Sequence, residues 1–243
     1  MRSAVFRCPV MPSPEFFVIR NTLLAVFALA VSANTASAQY SLLTARAQVG
    51  GTGFINWADL GAAGTVSNPS SVGVTNTALT ANVSQAVPSG FTRVTQSTSW
   101  GGNFTSGDAL LWTSADNGPM TIMFSGNISS AGANFQSNYF GAFVGRISAL
   151  DFSGNVLAFF DFSGNSTSSA DGSAVFGGIT STNGDIRGVR FEGVSATNAP
   201  NDFAINNVSV NGATTTVPEP GTYALMASGL LALAMVRRKA RAA

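Results

Sequence analysis

The chain has 243 residues, with 12 basic and 11 acidic side chains, one cysteine and no histidine. Without histidine, His-containing triads, the H-E-x-x-H zinc motif and imidazole base chemistry are all excluded. The single lysine, Lys239, lies near the end of the chain, so a Ser-Lys pair in the body is excluded as well.

The opening carries the parts of an export leader. Arg20 precedes an apolar stretch over residues 22–31, and small residues follow, with Ala36 and Ala38 in the positions read by signal peptidase. Residues 1–38 are therefore predicted to be a signal peptide with a helical core, cut before Gln39. The apolar core is too short for a permanent membrane helix. Met11 is an alternative start, because residues 11–20 already supply a short n-region. The lone Cys8 lies in this leader, so the processed protein has no disulfide and no thiol nucleophile. It must hold together in an oxidising compartment by its core alone. Between Gln39 and Val217 five arginines stand against nine carboxylates, a net charge of about −4. No basic patch remains, and no nucleic-acid partner is expected.

Residues 39–213, a normal size for one domain, are rich in Gly, Ser, Thr, Asn, Val and Phe. Short β-branched or aromatic runs separated by turn residues predict an antiparallel all-β fold. A first strand is expected over 53–57, one partly alternating strand over 71–80 with an extension to 84, and further strands over 91–96 and 109–112. Residues 120–124 alternate before a turn at Gly126-Asn127. Separate short runs follow at 134–136 and 139–145. Segments 146–151 and 156–161 should meet across Ser153-Gly154-Asn155 as a hairpin. Strands at 175–179, 186–191 and 203–210 close the pattern, with Val189 and Phe191 facing the core. About ten short strands without disulfides suggest two packed sheets, a jelly-roll or related β-sandwich. A parallel β-helix is the alternative, although no fixed repeat period supports it.

Reactive residues are scarce in this body. Its one glutamate, Glu192, adjoins Phe191 on a predicted strand, and no aspartate pair is singled out for glycoside hydrolysis. No enzyme activity is expected. Trp57 and Trp112 read as core. Trp100, in a Gly/Asn/Ser loop, and Tyr139 are candidate sugar-stacking surfaces. The repeat Asp-Phe-Ser-Gly-Asn, beginning at Asp151 and again at Asp161, places oxygen ligands at short spacing. With Asp171 it forms a weak calcium candidate; turn chemistry is the favoured explanation of the same residues.

The tail, residues 214–243, has three parts. Val217-Pro218-Glu219-Pro220 stops whatever precedes it, because proline fixes φ and removes a donor. An uncharged apolar run over 222–236 follows, enough for a helix of about 22 Å at 1.5 Å per residue. Arg237, Arg238, Lys239 and Arg241 then cluster where the positive-inside rule keeps them cytoplasmic. These residues, with Thr222, closely resemble the PEP-CTERM sorting signal of exported bacterial proteins. That resemblance implies a transmembrane helix in the precursor and cleavage near the proline motif by an exosortase. It also implies export through the inner membrane of a Gram-negative bacterium to the surface or beyond, where such proteins accompany extracellular polysaccharide. The runs 56–61, 100–104, 139–143 and 202–208 likewise resemble the globular part common among such proteins, and imply a lectin-like sandwich. The expected function is that of a non-enzymatic surface or matrix protein; the alternative is a carbohydrate-binding module. No cofactor is expected beyond the weak calcium candidate.

Overall fold

The computed structural model describes residues 39–67, 70–87 and 90–212. The predicted signal peptide and the whole sorting tail, with the two helices expected in them, lie outside the described residues. Fourteen strands form. The first seven are β1 (Tyr40–Leu43), β2 (Gly53–Ile55), β3 (Val66–Ser67), β4 (Ser70–Gly73), β5 (Thr80–Gln85), β6 (Phe91–Thr95) and β7 (Ala109–Trp112). Then come β8 (Met120–Ser137), β9 (Gly141–Leu150), β10 (Val156–Ser166), β11 (Val175–Ser181), β12 (Ile186–Ser195), β13 (Phe203–Ile205) and β14 (Val208–Gly212). Every strand-to-strand ladder is antiparallel.

The fold is organised around β8, which takes different neighbours along its two halves. Its first half lies between β5 and β12, with Ala81 opposite Phe124 and Phe191 opposite Met120. Its second half lies between β11 on one side and β13 and β14 on the other. Between the halves, Ile186 pairs with Ile128 but Gly188 pairs with Met123. Residues 124–127 of β8 therefore stand against a single residue of β12, Arg187. The expected turn at Gly126-Asn127 is corrected here: those residues supply the bulge that bends a continuing strand. Strand partners on both sides carry the chain onward, so it does not reverse.

The bend lets the two regions of sheet face each other. Phe143 of β9 and Phe162 of β10 meet Phe135, from the far half of β8, at 5.6 and 5.5 Å between ring centroids. Phe203 of β13 stacks on the same ring at 4.5 Å. Glycines make room for this layer. A Cβ on Gly177 would lie 2.4 Å from Phe162, and one on Gly164 2.3 Å from Phe143. The result is a sandwich-like antiparallel domain with one large core, in which Trp57, Ile122, Phe191 and Ile205 are fully buried.

Two strand boundaries also depart from the sequence pattern. The alternation over 71–80 is broken at Asn76, whose φ of 60° is left-handed, a conformation asparagine tolerates better than most residues. The segment becomes the β4–β5 hairpin, with Val72 opposite Ala81. Likewise the closing run splits at Asn206-Asn207, where the outer neighbour changes from β7 to β2. The hairpin expected across Ser153-Gly154-Asn155 is present, with Leu150 opposite Val156.

Tyr40 ties β1 down at its start. Its hydroxyl donates to Asp185 Oδ2 at 2.9 Å, an oxygen that also accepts from Gln39 Nε2 at 2.8 Å. Burial, the hydrogen bond and the negative charge of Asp185 push the phenol up from 10.0 to about 12. The neutral phenol is the favoured form. Its contribution is therefore complete below pH 10 and is lost as pH rises through the folded value. An ultraviolet pH titration should show one tyrosine ionising well after an ordinary phenol, and Asp185→Asn should bring it down.

Candidate functional site

A polar cleft of about 520 Å³ opens where the β13–β14 break, the loop before β2 and the loop before β7 converge. Its floor is built around Arg46. The local sequence explains that placement. Gln48 Oε1 accepts from the backbone N–H groups of Thr44 and Ala45 at 2.8 and 2.9 Å, closing a 3₁₀ turn over Arg46–Val49. Val49 is buried, and its carbonyl accepts from Ser130 Oγ of β8 at 2.7 Å. With that turn pinned, the Arg46 side chain runs beneath the strand break.

There both terminal nitrogens of the guanidinium are engaged. Nη1 donates to the Asn207 carbonyl at 2.8 Å and to Ser209 Oγ at 2.6 Å. Nη2 donates to Asn134 Oδ1 at 2.9 Å and to Asn206 Oδ1 at 2.7 Å. Asn206 Oδ1 also accepts from the Asn134 backbone N–H at 3.0 Å, and Asn206 Nδ2 reaches Asp108 Oδ2 at 3.3 Å. Burial pulls the Arg46 pKa down, and the charge of Asp108 pushes it back up. An arginine so placed stays charged at neutral pH.

The rim is set by close backbone approach. A Cβ on Gly51 would fall 2.5 Å from the Val210 carbonyl oxygen, so only glycine lets this loop run against β14. Phe54 follows on β2, directly opposite Ser209 in the ladder, and stays half-buried at the cleft. Thr105 and Asp108 complete the opposite wall. Asn207 also lines the cleft, but its Oδ1 is buried out of solvent's reach and has no hydrogen-bond partner. None of these residues was selected from the sequence. The one available signal was the Asn206-Asn207 pair interrupting an otherwise alternating strand.

The residues chosen from the sequence fall elsewhere. Trp100 is 7 % exposed, and its ring tilts against that of Trp112 at 5.8 Å in a small core of its own. That leaves little ring face for a sugar. Tyr139 is 36 % exposed in the β8–β9 turn, beside Phe140 at 55 %. No ring contact joins Trp100 to Tyr139 among the described residues. Trp57 is core, as expected, and its indole N–H donates to the Asn206 carbonyl at 2.9 Å beside the cleft.

The three aspartates are each occupied separately. Asp151 accepts from the side chain of Asn155 and from the backbone N–H groups of Ser153 and Asn155. The Asn155 side-chain bond contributes most to holding its carboxyl below the usual 3.8. Asp161 is clamped by both prongs of Arg146, at 2.6 and 3.0 Å, which lowers its pKa in the same way. Asp171 accepts from the Ser173 hydroxyl and N–H, and is lowered chiefly by that hydroxyl. Among the described residues no group of three or more His, Cys, Asp or Glu could hold a metal ion. These carboxylates close turns and pair across strands. Asp151→Ala should speed amide exchange at Ser153 and Asn155 while distant amides keep their rates. The same protection should fade as pH falls below 3.8 and through the lowered pKa, since it belongs to the ionised form.

Among the described residues no helix is long and apolar enough to cross a membrane. The described residues form a sandwich-like β domain with a polar cleft. A PEP-CTERM protein-sorting motif matches residues 216–239. The sorting residues Val217, Pro218, Glu219, Pro220, Thr222, Arg237, Arg238 and Lys239 all fall within that match but outside the described residues. No curated protein and no solved structure matches the chain.

Proposed function

We propose that this is a non-enzymatic component of the bacterial surface or extracellular matrix, associated with extracellular polysaccharide. In this reading residues 1–38 direct export and signal peptidase removes them. The tail at 214–243 spans the inner membrane as a helix until exosortase cuts near the proline motif. The β domain, jelly-roll or lectin-like in type, is then left outside a Gram-negative cell. The observation that carries the reading is the sorting motif over 216–239, attached to a domain without histidine or thiol chemistry.

Glu219→Ala, made together with Pro218→Ala, tests it. Fractionation of the native host should show the unprocessed precursor accumulating in the inner membrane, with the domain lost from the surface and medium. Normal surface delivery of this variant, or a parent domain confined to the cytoplasm, would contradict the reading. A second reading, specific carbohydrate recognition, is favoured by the amide-lined cleft at Arg46.

A further inference from the structure

We infer that the Arg46 cleft binds a neutral sugar residue, with Asp108 accepting hydrogen bonds from its hydroxyls and Phe54 covering its apolar face. This inference rests on the reading that the domain meets polysaccharide outside the cell. It assigns the recognition to a site away from Trp100 and Tyr139.

The charge inventory of the cleft selects the ligand class. All four terminal N–H bonds of Arg46 are used by protein acceptors. It therefore has no terminal donor left for a carboxylate or sulfate. Asp108 stands on the same wall and would repel an anion. A cation fares no better, since it would sit beside the Arg46 charge with one carboxylate to hold it. What the walls do offer is acceptors. Asp108 receives one side-chain bond, the long one from Asn206. Thr105 adds an exposed hydroxyl. A ligand rich in O–H donors, carrying no charge and having one apolar face for the Phe54 ring, satisfies each wall at once. The cleft volume of about 520 Å³ is in the range of ligand sites.

The test uses the full chain, purified in detergent, on an array of neutral gluco-, galacto- and manno-oligosaccharides beside glucuronate and galacturonate oligomers. The strongest binder is then titrated calorimetrically. Neutral oligosaccharides should bind. Asp108→Asn and Phe54→Leu should each weaken binding about tenfold or more, the loss expected for one charged acceptor or one ring face. The unfolding midpoint of Phe54→Leu should stay near that of the parent, and Tyr139→Ala should bind like the parent. Uronate oligomers binding as tightly as neutral ones would overturn the inference. So would a blank array at millimolar sugar, or variants that bind as the parent does. Cell fractionation separates the two levels: a surface-located chain with a blank array sinks the site alone, whereas a cytoplasmic chain sinks the functional reading beneath it.

Discussion

Phe135→Ala is expected to lower the unfolding free energy by about 4 kcal/mol, the usual scale for removing a buried ring. Phe135 is 1 % exposed and touches Phe143, Phe162 and Phe203, which come from three different strands. It is the ring through which the two facing regions of sheet meet. The surrounding backbone cannot easily collapse into the space. A Cβ on Gly145 would already lie 2.6 Å from Phe162 and 3.3 Å from Phe135, so the glycines there are spent on accommodating rings. A cavity should persist and add its own term to the lost transfer energy. Phe135→Leu, which refills part of the volume, should recover about half of the loss. Urea unfolding of the full chain measures both. An alanine variant within about 1 kcal/mol of the parent would mean that the two regions do not share this core.

Arg46→Ala should destabilise by about 3 kcal/mol, in line with truncating a partly buried, hydrogen-bonded charge. The loss is large because one side chain joins four places: the 3₁₀ turn, Asn134 of β8, the Asn206-Asn207 break and Ser209 of β14. Its removal strips donors from Asn134 Oδ1 and Asn206 Oδ1 together. Water entering the cleft offsets part of this, which keeps the figure below that of a sealed ion pair. Arg46→Lys should recover less than half. A point charge with three donors cannot reproduce two forks aimed at separate strands. Equal stability of Lys and Arg at this position would show that charge alone, without the fork geometry, holds the floor.

Local features were the readable ones. The Asp151–Asn155 turn was legible because a short polar run between two apolar segments closes on itself, and Asp151 supplies three of the bonds that fix it. The core role of Trp57 followed from the usual burial of tryptophan, whereas Trp112 is only partly buried against the small core of Trp100. The path of β8 was not legible. Gly126-Asn127 has turn composition, and strands remote in sequence, β5, β11, β12 and β14, convert that turn into a bulge. Trp100 looked like a loop aromatic because the ring that covers it, Trp112, arrives from the neighbouring strand. The cleft was invisible for the same reason. Its residues come from positions 46, 51–54, 105–108, 134 and 206–209, and no spacing rule joins them before the ladders form. The sorting tail is the opposite case. It is read as a linear signal, so its chemistry is complete in order and composition alone.

The account stands most directly on what the cell does with the tail. Intact-mass and terminal-peptide mass spectrometry of the protein recovered from the surface and medium of its native cells measures this. The account predicts a chain that begins at Gln39, ends near Val217-Pro218-Glu219-Pro220 and has lost Arg237, Arg238 and Lys239. Recovery of mature protein that still carries its sequence through Ala243 would contradict it.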